Sequence, residues 1–137
     1  MDLNDRYGYI LRVKHEDWAQ QVFELNKYYS GIIRRWKKGS PILLAMKTEK
    51  GDSFVGYGIT DKTEMLWEMT PEEEQYCKEN NWRCAITFQP LIRFENPLPI
   101  KETFLANDDR KGRYLHGASL NETQVEILIE QAKEPEE

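Results

Sequence analysis

Four cations, Arg34, Arg35, Lys37 and Lys38, stand within five residues, with Trp36 among them and Tyr28 and Tyr29 just upstream. Phosphate oxygens need cations and unpaired bases need aromatic faces, so this stretch holds both halves of a nucleic-acid contact. The same residues also read as a solvated surface over a core tryptophan. Trp18, Trp36 and Trp82 fall at core positions of periodic stretches, whereas Trp67, in TEMLWEM, belongs to no periodic pattern. An aromatic that the core does not use is free to stack on a base or to grip a methylated group. A second set, Lys47 and Thr48 at a strand end with Glu64 downstream, has the residue types of a small hydrolase. Lysine works there as a general base only where burial or a neighbouring cation lowers its pKa.

Other chemistries are weakly represented. His116, in LHGAS, has Ser119 three residues on, but no nucleophile elbow surrounds that serine. GYG and KKG are too short for either phosphate-binding glycine loop. Cys77 and Cys84, with only His15 and His116 to add imidazoles, are poor zinc geometry, and no metal or cofactor is expected. Two cysteines make no disulfide framework, which points to the reducing cytoplasm. The first residues, MDLNDRYGYI, show neither the basic start nor the apolar run of a signal peptide, and no stretch is apolar enough to span a membrane.

Charge is segregated along the 137 residues. The net charge of −5 is accounted for by residues 122–137, where six glutamates oppose Lys133. Between Lys27 and Lys50 seven basic residues face the single acid Glu49, and between Asp61 and Asn80 seven acids face Lys62 and Lys78. An acidic total argues against binding nucleic acid with the whole surface and leaves room for one basic face. With 12% aromatic residues the chain is too apolar for disorder and long enough for one ordinary core.

The elements follow from period and punctuation. RYGYILRV alternates as a strand, and HEDWAQQVFELN places Trp18, Val22 and Leu25 on one helical face. Ser30 is placed to cap a short helix GIIRRW that buries Ile32, Ile33 and Trp36 and ends at Gly39. Pro41–Thr60 reads as a hairpin around Lys50-Gly51-Asp52, and Gly56 and Gly58, two apart, invite the close approach of a backbone or a flat ligand. Thr70-Pro71-Glu72-Glu73 is a capping box opening an acidic helix to about Asn80. WRCAITF is a strand that Pro90 should break, LIRFENPLPI continues extended, GRYLHGAS is a last strand, and Asn121 or Thr123 caps a final helix whose acidic tail frays over 133–137. The whole chain reads as one α+β domain, 1–137, of five or six mostly antiparallel strands with three or four helices outside.

In that order, YGYILRV, WKKGSPILLAMK, SFVGYGIT, WRCAITFQPLIRFENPLPI and GRYLHGASLNETQVEIL resemble the PUA-like barrels, closest to the EVE domains, with a fainter likeness to YTH and ASCH domains. The resemblance covers roughly residues 6–132 and rests on order and spacing. It implies a small β-barrel with a pocket between strands and helices; EVE and YTH relatives read modified bases between aromatics, and ASCH relatives include RNA-processing and amidohydrolase activities. Tyr9 stands where the EVE pattern carries a tryptophan, and Tyr29-Ser30-Gly31 replace its asparagine-containing stretch.

The expectation is therefore a non-enzymatic module for RNA or DNA, with or without a modified base. Tyr9, Tyr29, Ser30 and Trp67 would surround the base, and Arg34, Arg35, Lys37 and Lys38 would hold phosphates from a basic helix. The alternative is an ASCH-like hydrolase using Lys47, Thr48 and Glu64. A protein partner would dock on the acidic helix 71–80.

Overall fold

Period-two alternation after Tyr7 forms strand β1 (Gly8–Arg12), and the helical spacing after His15 forms α1 (Glu16–Leu25), in a computed structural model that describes residues 6–109 and 115–133. Asn26, in the left-handed region at φ 54°, ends the helix and turns the chain directly into β2 (Lys27–Ser30). Ala19 and Val22 are the buried residues of α1. Leu25, expected beside them, is 53% exposed, because the helix stops there and the chain turns away.

The hairpin forms as expected from β3 (Pro41–Thr48) and β4 (Gly51–Met65), turning at Gly51 with φ 93°. Strand β4 runs on to Met65 and gives way to a 3-10 turn, Leu66–Glu68. Helix α2 (Pro71–Glu79) opens on the capping residue read from the sequence: the Glu73 amide donates to Thr70 Oγ1 at 3.2 Å.

Strand β5 (Cys84–Pro99) passes through Pro90 instead of breaking there. The ladder shifts register between the Gly58–Leu91 and Thr60–Phe88 pairs, so Pro90 falls where no amide is required. The last strand is reduced to β6 (Ser119–Leu120); residues 112–114, the start of the expected strand GRYLHGAS, lie outside the described residues. Helix α3 (Glu122–Lys133) is capped reciprocally, Gln124 N donating to Asn121 Oδ1 at 2.8 Å and Asn121 N to Gln124 Oε1 at 2.9 Å.

The result is α+β: a six-stranded mixed sheet in the order β2-β5-β4-β3-β1-β6, with three α-helices among the described residues. Among the described residues only β1 and β3 pair in parallel, with Tyr9 opposite Ile42. The ladder ends at β2 on one side and β6 on the other, so the sheet is not closed by hydrogen bonds into the barrel expected. Its curl is nevertheless strong enough that the Tyr28 phenol on β2 donates to the Arg12 carbonyl of β1.

Both faces of β1 and β3 are covered, which explains the unbroken apolar run ILLAM. Ile10, Leu43, Phe54 and Leu120 pack with Leu128 of α3 on one face. Leu11, Ile42, Leu44 and Phe88 pack with Val22 of α1 and with Trp36 on the other. Each such buried side chain contributes about 1.5–3 kcal/mol relative to exposure. The alternating glycines admit rings of this same core, not a ligand. A Cβ on Gly56 would lie 2.5 Å from the Ile92 carbonyl oxygen and 2.8 Å from the Phe23 ring, and one on Gly58 would lie 2.6 Å from Phe88.

Candidate functional site

Residues 31–38 are not helical, and the reason lies in their bonding partners. Ile32 N donates to Ser30 Oγ at 3.0 Å, and Cys84 Sγ reaches the Ile32 carbonyl at 3.2 Å. Trp36 N donates to Thr63 Oγ1 at 3.0 Å, and the Thr63 hydroxyl donates back to the Trp36 carbonyl at 3.2 Å. Backbone groups that a helix would pair internally are thus satisfied by β4 and β5, and the segment lies extended against the sheet. Trp36 is buried at 3% exposure as expected, but Ile33 is turned out and 63% exposed.

The four cations of this segment are exposed but not equivalent. Arg35 donates to the Thr63 carbonyl at 3.2 Å and to Glu68 Oε1 at 2.8 Å. The Met65 amide, first, and then Arg35 hold the Glu68 carboxyl below its usual range. Arg35 is therefore engaged within the protein. Lys38 lies 3.8 Å from Asp61 in an open, solvent-screened pair of little strength. Among the described residues no carboxylate pairs with Arg34 or Lys37. Arg34 instead lays its guanidinium 5.0 Å from the Tyr9 ring centre and 4.6 Å from that of Trp36. Contacts of this kind contribute about 0.5–1 kcal/mol at exposed sites.

Of the residues expected around a base, two converge and two do not. Tyr9 stands edge-on to Trp36 at 5.0 Å, and Ser30 lies in the same corner, linked to it through Ile32. Ser30 is fully buried and its hydroxyl bonds to Ile32, which shapes the turn into the segment. Tyr29, one residue earlier on β2, faces the other way, stacked on Trp82 at 5.1 Å and 10°. Its phenol donates to Glu73 Oε2 at 2.7 Å; burial, then that carboxylate, keep it protonated well above the usual tyrosine range. Burial alone pushes Glu73 up, but hydrogen bonds from Lys27 and Tyr29 and the charges of Lys27 and Lys62 outweigh it and hold the carboxyl low.

Trp67 sits apart on the 3-10 turn, 76% exposed, immediately beside the Glu68 that receives Arg35. The chain's other ring cluster went unread in the sequence. Trp18 and Tyr76 meet Trp82 edge-on at 5.1 and 5.5 Å, from α1 and α2. No sequence spacing signals it, since its members come from separate elements. It fastens both helices to the sheet. Beneath the Tyr9 corner, the buried Trp36 indole has the Cys84 thiol as its polar neighbour.

The hydrolytic set is not assembled. Lys47 is exposed and lies across from Asp52 at the hairpin end, and Thr48 Oγ1 donates to the Gly51 carbonyl at 3.0 Å to close the turn. Glu64 is at the opposite end of the 15-residue β4, within 3.7 Å of Lys27 and 3.8 Å of Lys62. His116 is a structural group: its Nδ1 accepts from the Arg12 amide at 2.9 Å, extending the edge of β1 beyond β6. Burial, then the charges of Arg12 and Lys14, lower its pKa.

Both cysteines are free and buried, and burial pushes the Cys77 thiol up to about 11 and raises Cys84, so neither is a thiolate nucleophile. Among the described residues no group of three or more His, Cys, Asp or Glu could hold a metal ion. Of the acids on α2, Glu73 is spent on Lys27 and Tyr29, and Glu74 lies 3.5 Å from Lys78. No described helix is long and apolar enough to cross a membrane.

Comparison of the chain with protein-family models, with curated proteins and with solved structures yields no match in any of the three.

Proposed function

We propose that this chain is a nucleic-acid binding module of PUA-like, EVE-like architecture that takes RNA or DNA, with or without a modified base. The observation that carries the reading is the double anchoring of Arg35 to the Thr63 carbonyl and to Glu68. It ties the cationic segment to the turn that presents Trp67, so an exposed indole stands next in the chain to the carboxylate that holds that segment. Arg34, Lys37 and Lys38 hold phosphates, Trp67 offers its face to a base, and Tyr9 lines the neighbouring corner. Arg35 positions the segment, and Ser30 supports its start from within through Ile32.

The curl that brings Tyr28 to Arg12 supports a pseudobarrel left open at β2. Nothing in the arrangement of Lys47, Thr48 and Glu64 favours hydrolysis. The test is a titration of labelled single-stranded RNA and DNA oligonucleotides with the wild type and with a K37E/K38E double variant. Binding that is lost on charge reversal supports the proposal. Equal binding by both proteins, or no binding by either, overturns it.

A further inference from the structure

The guanidinium of Arg34 rests against two aromatic rings, those of Tyr9 and Trp36. The guanidinium is planar and lies at 5.0 and 4.6 Å from two ring centres that are themselves perpendicular, at 80°. Trp36 is otherwise covered by core residues, and Tyr9 is half-buried against the same core, so Arg34 covers ring surface that faces away from that core. No carboxylate among the described residues fixes Arg34 there. The neighbouring Arg35, by contrast, is locked by a charge-assisted pair. One arginine of the segment is bolted down and the other only rests on rings.

From this we infer that Arg34 is a stand-in: its guanidinium holds the stacking place that a planar nucleobase takes on Tyr9, and swings out to that nucleotide's phosphate when the base enters. Guanidinium and nucleobase are both flat and both stack on aromatic faces, so one replaces the other without rebuilding the corner. The released side chain keeps its charge and remains within one residue of Arg35 and three of Lys37, on the cationic segment. The inference rests on the nucleic-acid reading above and adds to it a second base subsite, distinct from Trp67, with an internal competitor.

Competition gives the test a sign opposite to that of an ordinary phosphate contact. The four ribonucleosides and their 5′-monophosphates are titrated against the wild type, R34A and R34K by calorimetry. R34A, an exposed change, binds at least one nucleoside roughly two- to fivefold more tightly than the wild type, the equivalent of an exposed cation–ring contact. It also loses the preference of the wild type for the monophosphate. R34K, which keeps the charge and removes the flat group, gains nucleoside affinity and retains the monophosphate preference. Weaker or unchanged nucleoside binding in R34A, or none in any of the three proteins, overturns the stand-in. Oligonucleotide binding through Lys37 and Trp67 is measured in parallel. Its persistence when R34A shows no gain defeats the stand-in alone, and its absence in the wild type defeats the wider reading.

Discussion

Arg35 Nη2 lies 2.8 Å from Glu68 Oε1, joining positions 33 residues apart in the chain. The pair is half-exposed and contributes little to stability on its own, yet it sets Trp67 beside the cationic segment. Trp67→Ala is expected to remove about 1–3 kcal/mol of oligonucleotide binding, the value of one base–aromatic stack. Folding stability in urea should stay within about 0.5 kcal/mol, because a side chain 76% exposed has little core to lose. A large drop in unfolding midpoint would assign Trp67 to the core.

Trp36 behaves oppositely. At 3% exposure, with its backbone held by Thr63 at both amide and carbonyl, Trp36→Ala opens a cavity under the segment. The expected cost is about 3–5 kcal/mol in denaturant unfolding. A change below about 1 kcal/mol would contradict its placement in the core.

Gly56 is required by contact. A methyl group there meets the Ile92 carbonyl at 2.5 Å, a backbone atom that cannot give way without moving the strand pair. Gly56→Ala should destabilise by about 1–3 kcal/mol. Gly31→Ala is the control, since the nearest atom to its added methyl is 3.5 Å away. Equal costs at the two positions in chemical unfolding would refute the packing of β4 against β5 and Phe23.

His116 links stability to pH. Its pKa is lowered in the fold, chiefly by burial, so the unfolded chain takes up the proton first. Stability from this group is complete above about pH 6.5 and is lost as pH falls through the folded value. His116→Asn presents Oδ1 to the Arg12 amide and does not titrate. The expected result is a shallower decline in unfolding free energy below about pH 6.5 in the variant than in the wild type, and parallel curves would contradict it.

What was legible in the sequence was local. The Thr70–Glu73 and Asn121–Gln124 caps form between residues three apart, and the Gly51 turn needs only its own neighbours. The stretch 31–36 carried helix signals as good as these. Its fate was decided by the Thr63 hydroxyl, 27 residues away, which no spacing rule connects to Trp36. Pro90 likewise sits in a register shift created by the partner strand. For the site, residue types were readable and orientations were not. The alternation of β2 turns Tyr28 and Ser30 inward and Tyr29 outward, so neighbours in sequence lie on opposite faces. The cations were legible as a group, but only the positions of Glu68, Tyr9 and Trp36 separate Arg35 from Arg34.

The central claim, that cations of residues 34–38 neutralise phosphates, is tested most directly by the salt dependence of single-stranded oligonucleotide binding. If Arg34, Lys37 and Lys38 each contact one phosphate, the slope of log K against log salt is roughly −2, at about 0.7 per contact on a single strand. Lys37→Ala should flatten that slope by about 0.7, and Arg35→Ala should change it less, because Arg35 is already paired with Glu68. A slope near zero, or one that Lys37→Ala leaves unchanged, would contradict the account.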